Sequence, residues 1–436
     1  MKSLQVITLG CSKNTVDTER LLARLDGIYN ILPESWTGPV DILLVNTCGF
    51  IGDAKEESIQ AVLSASARKQ AGEVGKLLVF GCLSQRYMGQ LPTLIPEVDG
   101  WFGARDQDPL VKSLGGRLEG DTGRYRTDSH AYAYLKISEG CDRRCAYCAI
   151  PLIRGPHKSV PMEDLVKEAS SLAEGGVKEL ILIAQDTTFY GLDLYKERKL
   201  AELIRRLSEV NGIEWIRIHY SYPADFPEDV LDEMAANPKV CKYLDIPLQH
   251  ISDKVLSKMR RHVDGAWTRE LVRKMRERIP GVVLRTTMIV GHPGEGKRDF
   301  EELLDFVRQA RFERLGAFMY SEEEGTFGAE NYPDRVSRKM KRERLSELMD
   351  VQRDISLSFN QSRVSTVERV LVDDYADGVL VCRSQYESPE VDGEIVVRYE
   401  ADLFGGKSPE ELCGKFIDVK ITGADEYDLT AEPVKR

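Results

Sequence analysis

The chain has 436 residues, of which 42% are hydrophobic and 30% charged, and its formal net charge is −11. This is the composition of a globular protein with a real core, and the length suggests two to four domains. It argues against a membrane-spanning bundle, because no apolar run approaches the length of a span, and against a uniformly basic surface for nucleic acid.

The N-terminal MKSLQVITLGCSKN shows no charged start followed by an apolar core and a small-residue cleavage site, so a cytoplasmic location is expected. In that reducing compartment nine cysteines point to metal or catalysis rather than to disulfides.

Residues 1–116 alternate strand-like runs (LQVITLG, DILLVNT, KLLVFG) with helix-like stretches such as Thr18–Leu25 and Ala54–Ala67. This βα rhythm predicts a parallel-sheet α/β domain. The polar stretch 117–130 reads as a linker. From 131 to 335 the rhythm resumes with YAYLKIS, ELILIAQDT, WIRIHYSYP, YLDIPLQH, VLRTTMIVG and RLGAFMY. Six such units predict a partial or complete (βα) barrel, with its site at the C-terminal strand ends. Residues 336–363 contain no Pro or Gly and read as a bridging helix. The segment 364–436 holds short β-branched runs (VERVLVD, GVLVCRS, DGEIVVRY, KFIDVKITG), which predict a small antiparallel β-barrel or sandwich.

SEGCDRRCAYC places Cys141, Cys145 and Cys148 in a C-x3-C-x2-C pattern directly after a strand. Three soft thiolates in one loop suit a 4Fe–4S cluster, and three ligands rather than four leave one iron open to substrate. The alternative is a zinc site completed by another residue such as His157. Cys11, Cys48 and Cys82 each follow a strand of the first domain, so a parallel sheet gathers them at one edge. They form a candidate second three-cysteine cluster. Asn14 and Asn46 stand near it, as hydrogen-bonding neighbours or as turn and cap residues. Cys241, Cys382 and Cys413 show no ligand spacing and read as packing residues.

The triplet, with Tyr147 just before its third cysteine, resembles the loop of radical S-adenosylmethionine enzymes. In that family the cofactor's amino and carboxylate groups chelate the open iron, and one electron from the cluster cleaves the sulfonium to a 5′-deoxyadenosyl radical. The whole arrangement, a three-cysteine domain, a radical barrel and a terminal β-barrel, resembles the methylthiotransferases. The resemblance implies two 4Fe–4S clusters, S-adenosylmethionine used as methyl donor and as radical source, and a TRAM domain that helps bind the substrate.

Family members act on a tRNA adenosine or on an aspartate of small-subunit ribosomal protein twelve. LGCSKNTVDTE and VNTCGFIGDAKEES resemble the ribosomal-protein branch, the RimO family, and the Gln-Met-Asn that follows the first cysteine in the tRNA branch is absent. Charge agrees with this. Residues 364–436 hold 17 Asp and Glu against 8 Lys and Arg, a net of −9, which leaves −2 for the rest. Such a domain repels a phosphate backbone and attracts a basic protein. The expected reaction is therefore methylthiolation of an aspartate β-carbon. The alternatives are a tRNA methylthiotransferase and a non-catalytic iron–sulfur or zinc redox sensor.

Gln185, Asp186, His219, Gln249 and His250 lie at barrel strand ends and are candidate contacts for S-adenosylmethionine, together with Tyr147. Arg260 and Arg285 are candidate carboxylate partners, although ordinary ion pairs explain either one alone. GHPGEGKR matches G-x4-G-K of a phosphate-binding loop. However, Arg298 stands where Ser or Thr should bind magnesium, and Pro293 removes a backbone donor, so a βα turn lining the cofactor pocket is the expected role.

Overall fold

The computed structural model describes residues 1–118 and 123–434. Its first unit is a five-stranded parallel sheet of β1 (Ser3–Thr8), β2 (Asn30–Leu32), β3 (Val40–Thr47), β4 (Val74–Gly81) and β5 (Gly100–Trp101), in the order β2-β1-β3-β4-β5. Alternate residues of these strands face opposite layers. Leu4, Leu44 and Leu78 pack on Leu21, Leu22 and Leu25 of α1 (Ser12–Leu25), and Leu43, Val45 and Leu77 pack on Val62 and Ala65 of α2 (Gly52–Gln70). Burial on both faces explains why the central strands read as continuous apolar runs. The edge strands β2 and β5 carry no such signal, being three and two residues long.

The second unit is a six-stranded parallel sheet: β6 (Tyr132–Lys136), β9 (Glu179–Ile183), β10 (Trp215–Ile218), β11 (Val240–Asp245), β12 (Val283–Val290) and β13 (Arg314–Met319). Its ends do not meet, so it is the partial form of the barrel. A ribbon of β7 (Ser138–Glu139) and β8 (Lys158–Ser159) clasps the base of the cysteine triplet loop. One sheet face packs on the helices through Leu135, Leu182, Ile218 and Leu244. The other parity presents Tyr132, Arg217, Tyr243 and Arg285.

Part of that second face is covered by the last unit. The helix Arg338–Ser362 leads to a closed barrel of β14 (Val367–Ala376), β15 (Val379–Arg383), β16 (Ile395–Arg398), β17 (Phe416–Ala424) and β18 (Leu429–Pro433). β18 has no counterpart in the sequence reading. It is short, ends in Pro433, and pairs parallel to β16, an exception in an otherwise antiparallel barrel. The segment 384–392 of this unit docks on the six-stranded sheet. Arg217 donates to Gln385 O (2.9 Å), Tyr243 to Asp392 Oδ2 (2.7 Å), and Arg314 pairs with Glu387 (3.0 Å).

Of the expected linker 117–130, residues 119–122 lie outside the described residues. Arg124, within the remainder, pairs with Glu19 of α1 and with Glu168 (2.9 Å), tying the first two units together. Among the described residues no helix is long and apolar enough to cross a membrane.

Candidate metal centre

Parallel topology brings Cys11, Cys48 and Cys82 together. Cys11 lies just beyond β1, while Cys48 and Cys82 directly follow β3 and β4. The order reverses between β1 and β3, and the crevice outside the carboxyl ends at such a switch point is where open α/β sheets bind ligands. Cys11 also caps α1, and Cys82 opens the short helix α3 (Cys82–Tyr87), so two of the sulfurs sit at positive helix ends.

The turn into Cys82 requires glycine. Gly81 has φ +104°, and a Cβ there would lie 2.5 Å from Asn46 Oδ1 and 2.6 Å from Thr47 O. Asn46 Nδ2 donates to Asn14 O (2.9 Å), and Asn14 Nδ2 donates to Leu9 O (2.7 Å). The two asparagines thus stitch the cysteine loops to one another.

Cys141, Cys145 and Cys148 need only one loop. Cys141 N donates to Gly155 O (3.0 Å), Cys148 N donates to Cys145 O (3.1 Å), and Ala146 N reaches Met259 O (2.9 Å). Gly140, at φ +77°, makes the turn where any side chain would collide with the Pro156 carbonyl.

The cysteines are free. Burial pushes Cys82 and Cys141 up to about 12, so they are thiols at neutral pH in the metal-free chain and a bound metal centre must displace their protons. Cations face the sulfurs in both sets: Arg154 Nε lies 3.2 Å from Cys82 Sγ, and Arg261 Nη1 lies 3.4 Å from Cys145 Sγ. Two soft three-sulfur sets with cationic neighbours fit iron–sulfur clusters. Among the described residues no three His, Cys, Asp or Glu side chains stand closely enough for a single metal ion, and His157, whose Nε2 meets Ser159 Oγ (3.1 Å) and whose buried Nδ1 has no partner, joins neither cysteine set.

Arg154 joins the two sets, a role that sequence reasoning missed. It stands six positions after Cys148, and its guanidinium reaches the first unit at Asp17 Oδ2 (2.6 Å) and Asn14 Oδ1 (2.6 Å). It also pairs with Glu139 Oε2 (3.2 Å), which accepts from Lys136 Nζ (2.8 Å). Burial raises the Glu139 carboxyl, but Lys136 and Arg154 outweigh it and bring it to about 2. The only sequence signal was a lone cation ending the apolar run after the triplet, and spacing alone gave it no partner. Arg261 was passed over for its neighbour in the same way. Its head is stacked on Tyr222 (4.2 Å) and lies 3.4 Å from the Tyr147 hydroxyl.

The strand-end candidates divide. Gln185 Nε2 donates to Glu139 (2.7 Å), and its buried Oε1 has no partner. Gln249 adopts φ +74°, and its backbone is bonded to β12 at Thr287 O (2.8 Å). The other side chains are engaged within the protein. Asp186 accepts from Arg143 Nε (2.8 Å) and Thr188 Oγ1 (2.6 Å), His219 Nε2 meets Ser388 Oγ (2.9 Å), and His250 Nδ1 accepts from Ser252 N (3.0 Å) while its buried Nε2, 3.5 Å from Glu295 Oε2, makes no hydrogen bond. Arg285 pairs with Asp245 (3.0 Å), and Arg260 stacks on Phe327 (3.2 Å). In the G-x4-G-K turn Gly291 N donates to the loop's own Glu295 (2.8 Å), and Lys297 is exposed beside Glu301 (3.6 Å).

A partial parallel barrel with a three-cysteine loop at its mouth defines the chain as a radical S-adenosylmethionine enzyme, and residues 135–307 match the Radical SAM superfamily. Residues 3–103 match Uncharacterized protein family UPF0004, and residues 364–434 match the TRAM domain. The chain is 50% identical over 435 residues, 99% of each chain, to "Ribosomal protein uS12 methylthiotransferase RimO" of Porphyromonas gingivalis. It is 48% identical over 98% of each chain to the protein of that name from Phocaeicola vulgatus. The chain belongs to the RimO family of methylthiotransferases. The radical S-adenosylmethionine superfamily match implies a 4Fe–4S cluster and S-adenosylmethionine. Among solved structures, the radical S-adenosylmethionine methyltransferase TsrM of Kitasatospora setae shares the fold, with a TM-score of 0.57 at 14% identity over 75% of this chain and 73% of that one.

Proposed function

We propose that this enzyme methylthiolates the β-carbon of an aspartate in ribosomal protein uS12, in the cytoplasm, using two 4Fe–4S clusters. Cys141, Cys145 and Cys148 would hold the first cluster, and Cys11, Cys48 and Cys82 the second. The observation that carries this reading is the Arg154 bridge, which ties the Cys82 loop to the triplet loop through a single guanidinium. When bound, the clusters and S-adenosylmethionine supply the 5′-deoxyadenosyl radical and the sulfur of the methylthio group.

The protein's own residues position and exclude. Arg143, held by Asp186 and stacked on Tyr222 (4.1 Å), fixes the triplet loop. Tyr147, Gln185 and Gln249 are the proposed cofactor contacts. Gln185 offers an unpaired buried oxygen, which suits the cofactor's ammonium. Asp186, His219 and His250 hold the strand ends in place.

The last domain presents Asp374, Asp377, Glu400, Asp402, Glu410 and Glu411 to solvent, although Glu387 and Asp392 are spent on internal partners. That surface favours a basic protein over tRNA. The test is anaerobic reaction of reconstituted enzyme with S-adenosylmethionine, sulfide and a reductant in the presence of uS12 and tRNA together. A methylthio mass gain on the uS12 aspartate alone is expected; a gain on tRNA alone would overturn the substrate.

A further inference from the structure

Lys13, two positions beyond Cys11, is 8% exposed. Its Nζ lies 3.0 Å from the centroid of the Tyr220 ring, and no carboxylate among the described residues pairs with it. Two acids of the same network are already committed. Asp17, one turn further along α1, is held by Lys136 and Arg154, and Asp245, which accepts from Tyr220 N (3.0 Å), is held by Arg285. The first turn of α1 contains no acidic residue, so the positive helix end adds to the same potential.

A buried ammonium without an anion is costly, and a ring face returns only part of that cost. An uncharged chain of the same length would cover Tyr220 as well. The charge therefore has a use that arrives with a ligand, and its location says which. Tyr220 follows β10 at the mouth of the radical barrel, held at φ +58°, and Lys13 lies in the first turn of α1, directly after the Cys11 cap. The ammonium stands at the seam between the first unit and the barrel.

We propose that Lys13 binds the side-chain carboxylate of the target aspartate. This rests on the functional reading above. The carboxylate is bonded to the reacting β-carbon, so clamping it on Lys13 fixes that carbon between the two cysteine sets. It also selects an acid over an amide at the reactive position.

The test uses reconstituted holoenzyme and two fluorescent synthetic peptides spanning the target segment of uS12, one with Asp and one with Asn at the reactive position. Affinities are measured for wild type, Lys13→Met and Lys13→Arg, and wild type is assayed in parallel for methylthio mass gain on the Asp peptide. Met preserves length and packing on Tyr220, and iron content with electron paramagnetic resonance verifies loading. Wild type should bind the Asp peptide between about tenfold and about a hundredfold more tightly than the Asn peptide, the range of a charged hydrogen bond. Lys13→Met should bind both at the weaker level, and Lys13→Arg should recover part of the preference. If Lys13→Met keeps the full preference, or weakens both peptides equally, the assignment is overturned while the function stands. If wild type neither discriminates nor modifies the Asp peptide, the functional reading fails and takes this assignment with it.

Discussion

The barrel gathers its three cysteines within one loop, between Cys141 and Cys148, whereas the first unit gathers Cys11, Cys48 and Cys82 from the ends of three strands. The loop depends on local devices: the Gly140 turn, the β7–β8 ribbon and a few backbone hydrogen bonds. The sheet set depends on register, with Thr8 opposite Asn46 and Thr47 opposite Gly81. A one-residue slip in either pairing would carry a cysteine away from the others, and the loop has no equivalent weakness. A three-cysteine set is thus assembled once from proximity in sequence and once from topology. Arg154 is the piece that belongs to both.

The sharpest way to separate the two regions is to remove one ligand from each. Cys145→Ala should abolish 5′-deoxyadenosine formation, while Cys82→Ala should retain it and lose methylthio product. Chromatography of the nucleoside and mass spectrometry of the substrate in the same tube check both. Full product from Cys82→Ala would break the comparison.

Next in size is the piece they share. Arg154→Met leaves the buried Asp17 and the half-buried Glu139 with only Lys136 as a common cation, which should cost about 3 kcal/mol. Denaturant unfolding of the metal-free chain measures it, and an unchanged midpoint would show that the bridge is not structural.

The glycine turns give a smaller, symmetrical test. Gly81→Ala and Gly140→Ala should each cost about 2 kcal/mol, from positive φ and close approach. Gly81→Ala should lower iron held by the first unit, and Gly140→Ala that held by the barrel, as read by iron content in chains lacking the other cysteine set.

The smallest effect near neutrality is pH dependence of the seam between barrel and last domain. Burial of His219 pushes it down to about 3 from the ordinary 6.5, so the folded chain holds it neutral while the unfolded chain protonates. Its contribution is complete above about 6.5 and is lost as pH falls from there towards about 3. Thermal midpoints of wild type should fall more steeply across that window than those of His219→Gln. Parallel curves would assign the acid sensitivity to other groups.

Much of this was legible in the chain because it is local or periodic. The six barrel strands announce themselves as apolar runs, the triplet by its spacing, and the first-unit cysteines by their shared place after strands. The strand-end polar residues were legible as positions but not as roles. A sequence places His219 at the end of β10 but does not say that its ring meets Ser388, 169 positions away. The same limit applies to charge. The −9 of the last segment can be counted in the sequence, whereas the loss of Glu387 and Asp392 to barrel arginines depends on docking.

The sequence by itself determined the cysteine spacing, the strand count of the barrel and the family, since residue type, spacing and alternation are properties of neighbours along the chain. Only the tertiary structure decided that the sheet cysteines lie at one sheet edge, that Arg154 binds both cysteine loops and that Lys13 has no anion partner among the described residues. Each of these is a relation between residues far apart in sequence, fixed when strands pair and layers pack, and carried by no local pattern.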